Sequence, residues 1–142
     1  GARVELLIDA VVYHRRRTTL KKFFRQVFNW GVARVNLGKI DNAMLEPIHF
    51  IPSVVTLFAL FTVLGLALAR NVSFLIIGFG VAGLLLVSLL GGIKNRSLIV
   101  MILLFLIVPI QIFGYGLGFM IAYFKRFILD HDEFTGFQKK YY

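Results

Sequence analysis

Two stretches of this chain, residues 72–93 and 97–124, contain no Asp, Glu, Lys or Arg, and in a third, 47–69, His49 is the sole ionisable side chain. A backbone carried through about 30 Å of hydrocarbon must satisfy its N–H and C=O groups internally. A helix of roughly 20 apolar residues does so and an irregular chain does not. The runs therefore predict an all-α membrane protein with spans near 47–69, 74–90 and 98–124. Composition points the same way. Of the 142 residues, 58% are hydrophobic and 16% charged, whereas a soluble domain is about half apolar and a quarter charged.

Within the first run, Pro47 suits a first helical turn, and Pro52 either kinks the helix or marks its true start. Arg70-Asn71-Val72-Ser73 reads as a tight polar turn. The second run carries Gly78, Gly80, Ala82 and Gly83, small residues that admit a neighbouring backbone. The third is longer than one straight span needs. Pro109 and Gln111 interrupt its middle, and Gly114, Gly118 and Ala122 stand four apart as a ridge for helix contact. Gln111 is expected to hydrogen-bond between helices, or else to line an acceptor path. The run is too short for two full crossings, so three spans are favoured over re-entry at Pro109.

Ahead of the spans, Arg15, Arg16, Arg17, Lys21, Lys22 and Arg25 crowd into a segment with Phe23, Phe24, Phe28 and Trp30. With Thr18 as N-cap, Leu20, Phe23, Phe24, Val27 and Phe28 share one helical face, opposite Lys21, Lys22, Arg25 and Asn29. Residues 15–46 are thus expected to form a basic amphipathic interface helix and connector, stopping near Gly38. Its rings would reach the headgroup boundary, with each basic residue among anionic lipid phosphates contributing about 1 kcal/mol. A net charge of +9 also suits nucleic acid, but a basic cluster abutting apolar spans points to the bilayer surface. The nine Lys or Arg before residue 47 place that side in the cytoplasm. Three crossings then put the polar tail, 125–142, outside; its four basic residues fit that side poorly, and re-entry would bring them in.

Residues 1–14 are rich in β-branched and aromatic types and read as the terminal strand of a sheet whose partners lie elsewhere. With Gly1 at the start and no apolar leader pattern, the chain is expected to begin inside a longer protein. Cysteine is absent, which removes disulfides and thiolate chemistry.

Gln26-Val27-Phe28-Asn29-Trp30-Gly31, preceded by a basic run and followed by spans, resembles the Gln-x-x-Arg-Trp element of membrane-attached family 2 glycosyltransferases. Val12-Tyr13-His14 and Arg17 to Gln26 are similar to the segment that joins catalytic domain and interface helix in the succinoglycan type. The motif covers residues 1–46, and 47–124 match as architecture alone. The resemblance implies the C-terminal membrane portion of an enzyme of a bacterial inner membrane, with residues 1–14 left from a GT-A catalytic domain upstream. That domain would take a nucleotide sugar with Mg or Mn, and the membrane segment would bind neither. Gln26 would lie near the donor diphosphate, and Trp30 would face the sugar of a glycan or lipid-linked acceptor. Read from the residues themselves, His14 with Arg15, Arg16 and Arg17 suits a diphosphate or the phosphate of a lipid-linked acceptor, and equally headgroup binding alone. Asn29 stands at the motif's arginine position, where an amide lacks the bidentate cationic grip on phosphate.

Three plainer readings stand beside these. Trp30 serves equally as an interfacial anchor. Asp130-His131-Asp132-Glu133 contains the family's Asp-x-Asp string, but after the last span, and reads as solvated tail. The whole chain also suits a small non-enzymatic membrane subunit for assembly or translocation.

Overall fold

The computed structural model describes residues 19–132 and 134–137. Among these the chain is helical without strands: α1 (Leu20–Ile40), α2 (Ile51–Leu64), α3 (Arg70–Lys94) and α4 (Leu98–Tyr123), joined by short 3-10 turns, with a wider π-type turn at Phe124–Ile128 after α4. The strand expected at 1–14 and the arginines at 15–17 lie outside the described residues. Three helical stretches, Pro47–Ala67, Arg70–Lys94 and Leu98–Ile128, are long and apolar enough to cross a bilayer. Their outward faces are strips of exposed Phe, Leu, Ile and Val, which hydrocarbon solvates at no cost.

The third run is one continuous helix through Pro109, without a break for re-entry. Arg70–Ser73 is the first turn of α3, not the expected connector: the Ser73 N–H donates to the Ala69 carbonyl at 3.0 Å, and the reversal falls on Gly65–Ala69. Hydroxyls inside the apolar helices are satisfied locally. Thr56, Thr62 and Ser88 donate to the carbonyls four residues back at 2.7, 2.8 and 2.7 Å, which removes the penalty of an unpaired hydroxyl in hydrocarbon.

Thr19, one residue later than expected, caps α1, its hydroxyl accepting from the Lys22 N–H at 3.3 Å. The helix runs past the expected stop at Gly38 to Ile40; a side chain at Gly38 would meet Leu45, which closes over the bare glycine. The apolar face of α1 is where the structure departs furthest from the expected interface helix. Val27, Phe28, Gly31, Val32 and Val35 are buried against α4, not laid outward. A Cβ on Gly31 would stand 2.7 Å from the Phe119 backbone N, and one on Gly118 would stand 2.8 Å from the Phe28 carbonyl carbon. Gly114 likewise receives Val27 and Phe24. Contacts advance in the same order along both elements, from Phe24 at Gly114 to Lys39 over the Phe127 ring. Thus α1 lies side by side with the second half of α4.

Gly116, on another side of α4, admits Pro52 and Thr56 of α2, and the Ser53 hydroxyl donates to its carbonyl at 3.4 Å. The Gly114-x-Gly116-x-Gly118 run thereby seats two helices at once. An aromatic ladder, Tyr115, Phe119 and Tyr123 on α4 and Phe127 on the π-type turn, climbs beside it, and Phe50 packs edge-on at 4.8 Å from Phe119. α3 meets α4 through Gly91 at Leu104 and Gly92 at Met101, whereas Gly78, Gly80 and Gly83 have open space where a side chain would go. The close approach expected of that second set is made by the first.

These contacts separate the glycines by consequence. Gly31→Val is expected to cost at least about 2 kcal/mol, because overpacking here meets backbone that cannot rotate away. Gly78→Ala should change stability by less than about 1 kcal/mol. Thermal unfolding of both variants in one detergent checks the contrast; equal losses would mean that α1 is not seated on α4 as described.

Candidate functional site

A cleft of about 500 Å3 opens where α1, the turn ahead of α2 and the middle of α4 meet. Trp30 and Arg34, one turn apart on α1, form one side, and Gln111 and Tyr115, one turn apart on α4, form another. His49 and Ile48 close the end from the Pro47–Phe50 turn, and Pro52, Val108 and Ile112 supply apolar wall. Trp30 is 48% exposed, so its ring is available to a ligand.

Each polar group here has a physical reason for its pose. The Arg34 guanidinium donates to the Met44 carbonyl at 3.4 Å and stands beside the Tyr115 phenol. The Nδ1 of His49 accepts from the Glu46 N–H at 3.0 Å. A neutral imidazole then carries its proton on Nε2 and keeps that donor for the cleft. Gln111 is the one amide in the apolar run 98–124, and it is exposed. The cleft thus offers a cation, N–H donors, an amide, a phenol and an indole face. Those are groups that hold phosphate and sugar.

The residues singled out from the sequence do not stay together. Trp30 lines the cleft, while Gln26, one turn earlier on α1, is half-buried outside it. Asn29 faces elsewhere: its Oδ1 accepts from the Phe137 N–H at 3.0 Å. One turn pair further along α1, Asn36 donates to the Phe134 carbonyl at 2.9 Å. Between them Gly136 turns with φ +62, a conformation suited to glycine, and lies against Asn29, Val32 and Phe28. The Phe137 ring stands 4.8 Å from Phe28, with Arg25 5.5 Å above it. The tail therefore straps α1, with Asn29 as one of its anchors, and lies on the same side as α1, not across the bilayer from it as three crossings would place it. Of the residues assigned to the bilayer interface, Lys21, Lys22 and Arg25 are exposed, Phe23 and Phe24 are half-buried, and Val27 and Phe28 are buried by α4.

Arg34, His49 and Tyr115 come together from three elements, so no spacing along the sequence groups them. One trace was visible: Arg34 follows Trp30, and Tyr115 follows Gln111, by one helical turn. For a divalent cation the described residues offer no fit. No three His, Asp or Glu side chains converge among them, and Asp130 of the Asp-x-Asp string is paired with Lys39 at 3.1 Å.

The strap gives a direct expectation. Asn29→Ala removes the acceptor for the Phe137 N–H, at about 1 kcal/mol, and should raise hydrogen exchange at Phe137 while the amides of α4 keep their protection. Unchanged exchange at Phe137 would contradict the strap. Compared with family models, with curated proteins and with solved structures, the chain finds no match.

Proposed function

We propose that this chain is the C-terminal membrane portion of a family 2 glycosyltransferase. The complete enzyme transfers a sugar from a nucleotide donor to a membrane-associated glycan or lipid acceptor at the cytoplasmic face of a bacterial inner membrane. The observation that carries this reading is the cleft itself. Trp30, the aromatic residue of the motif, stands at its mouth beside Arg34, with Gln111 and Tyr115 behind. A sugar ring packs its C–H face on an indole and its hydroxyls need amide, phenol and guanidinium partners. The cleft brings these together at the edge of apolar helices, where an acceptor held in the membrane is presented. Gln26, one turn away, serves the donor diphosphate of the catalytic domain that docks on α1. In this reading α1 sits at the bilayer boundary with Lys21, Lys22 and Arg25 among anionic headgroups, and its apolar face joins it to α4. Mg or Mn belongs to the catalytic domain.

A second reading has one observation in its favour. Asn29, at the motif's arginine position, is spent on the tail, as in a chain whose α1 is a structural member of a non-enzymatic assembly subunit.

Two measurements bear on these readings. In the full-length protein, Trp30→Ala should lower sugar transfer about tenfold, the value of one aromatic contact of about 1.4 kcal/mol, and Gln26→Ala should lower it with a raised KM for the donor. Unchanged turnover in both, with membrane attachment intact, would remove the active-site role. Trp30 is also the one tryptophan in the chain, so its fluorescence reports depth alone. Quenching by spin labels near the headgroup should exceed quenching by labels at the chain end, and the reverse order would remove α1 from the interface.

A further inference from the structure

α3 and α4 run antiparallel as a hairpin. Leu104 closes over Gly91 and Met101 over Gly92 beside the Lys94–Ser97 turn, and further along Leu85 and Leu89 border one groove with Phe105 and Leu106. Each arm is long and apolar enough to cross a bilayer, so the turn and the open end of the hairpin lie on opposite sides of it. Both ends of α2 meet this hairpin far from the turn. Pro52 and Thr56, at its start, sit against Gly116 of α4, and a Cβ on Gly65, just past its last turn, would stand 3.0 Å from the Ser73 hydroxyl at the start of α3. At about 1.5 Å per residue, Gly116 lies about 27 Å of helix beyond Leu98, and Ser73 about 32 Å ahead of Lys94. Those lengths match the roughly 30 Å of hydrocarbon. α1 lies against the same open end, from Gly114 to Phe127, and so does the tail, which bonds Asn29, Asn36 and Lys39.

We propose that the chain crosses the bilayer twice, by α3 and α4, and that α2 is a re-entrant helix whose outward face meets the acyl chains of the leaflet next to α1. α1, the tail and the Trp30 cleft then share one side. α2 has no polar face to lay along water. Val54, Leu57, Phe58, Leu60, Phe61 and Leu64 are exposed around it, and its hydroxyls are spent on its own carbonyls or on that of Gly116. It therefore belongs in hydrocarbon, and a helix about 10–12 Å across fits a half-bilayer of about 15 Å. The reversal that follows is apolar too. Gly65 to Ala69 carries no polar side chain and Leu68 is 93% exposed. The Leu68 and Ala69 N–H groups donate to the Gly65 carbonyl at 3.1 and 2.7 Å, so the turn satisfies these donors internally and can sit below the headgroups. By contrast Lys94-Asn95-Arg96-Ser97, the other turn, is polar throughout. The charges divide accordingly. With α2 re-entrant, the nine Lys or Arg ahead of residue 47, Arg70 and the four beyond residue 124 fall on one side, and Lys94 and Arg96 on the other. Three crossings would split the same sixteen eleven to five, a weaker bias toward the cytoplasmic side. They would also part α1 from the tail to which it is bonded. The placement does not rest on the sugar-transfer reading, because it concerns sidedness and not turnover.

The chain has no cysteine, so single substitutions report sidedness without background. Asn42→Cys ahead of α2, Asn71→Cys after it, Asn95→Cys in the α3–α4 turn and Asp132→Cys in the tail all fall at exposed positions. Each is placed in the full chain in a bacterial inner membrane and treated with a membrane-impermeant maleimide, in spheroplasts and in inverted vesicles. The variants at Asn42, Asn71 and Asp132 should label in the inverted vesicles and not in spheroplasts. The variant at Asn95 should do the reverse, and detergent should open all four. If Asn71→Cys fails to insert, Leu68→Cys reads the same reversal. Labelling at Asn71 and Asp132 together on the side opposite Asn42 would mean three crossings and overturn the proposal. Labelling at Asn71 alone on the far side would mean that α2 crosses and the third run turns back, which overturns it equally. All four on one side would show that the hairpin does not cross, and the proposal would fail with it.

Discussion

The close approach of two helix backbones, α1 and α4, is the contact on which the rest depends. It exists because Gly31 on one and Gly114 and Gly118 on the other leave no side chains between them. Hydrocarbon provides no hydrophobic force between apolar helices, so association there relies on packing, and small residues supply the area. With α1 seated, Val27, Val32 and Val35 become fully buried, and Trp30 and Arg34 are held over α4 at the height of Gln111 and Tyr115. The cleft is a consequence of that seating. Without it, Trp30 would be one more interfacial aromatic.

Polar strapping then covers the other side of α1. Asn29 and Asn36, two turns apart, each bond a backbone group of the 134–137 segment, and Phe137 fills the space over Phe28. The Lys39–Asp130 pair nearby is exposed and contributes little by itself. The buried asparagine contact and the ring packing carry more, since they exclude water from the groups they join. One helix thus presents three faces to three environments: valines and glycines to α4, asparagines to the tail, and Trp30 with Arg34 to the cleft.

Much of the architecture was legible beforehand because charge-free runs in a chain this apolar have few other folds available. The charge-free runs predict three apolar helices at Pro47–Ala67, Arg70–Lys94 and Leu98–Ile128 to within a few residues, and the spacing of Gly114, Gly118 and Ala122 predicts a helix contact that α1 makes. The glycines of α3 show the limit of that reasoning. Gly78, Gly80 and Gly83 look in sequence like a packing face, yet they face open space, and Gly91 and Gly92 make the contact with α4. A small residue permits close approach but does not say who approaches. The same holds for amphipathicity: the apolar face of α1 was visible, and whether lipid or α4 covers it was not.

The sequence by itself determined that the chain is helical and membrane-embedded, since unsatisfied backbone cannot enter hydrocarbon and the runs are too long and too apolar for anything else. It also determined the polarity of α1, through the period of its charges and rings. Tertiary structure alone decided that Trp30 parts from Asn29, with the one at the cleft and the other tied to the tail. Adjacent helical residues point about 100° apart, and only the packed positions of α4 and the tail say what each meets. It likewise decided that Arg34, His49, Gln111 and Tyr115 share a cleft, because contacts between elements far apart in sequence leave no periodic trace along the chain.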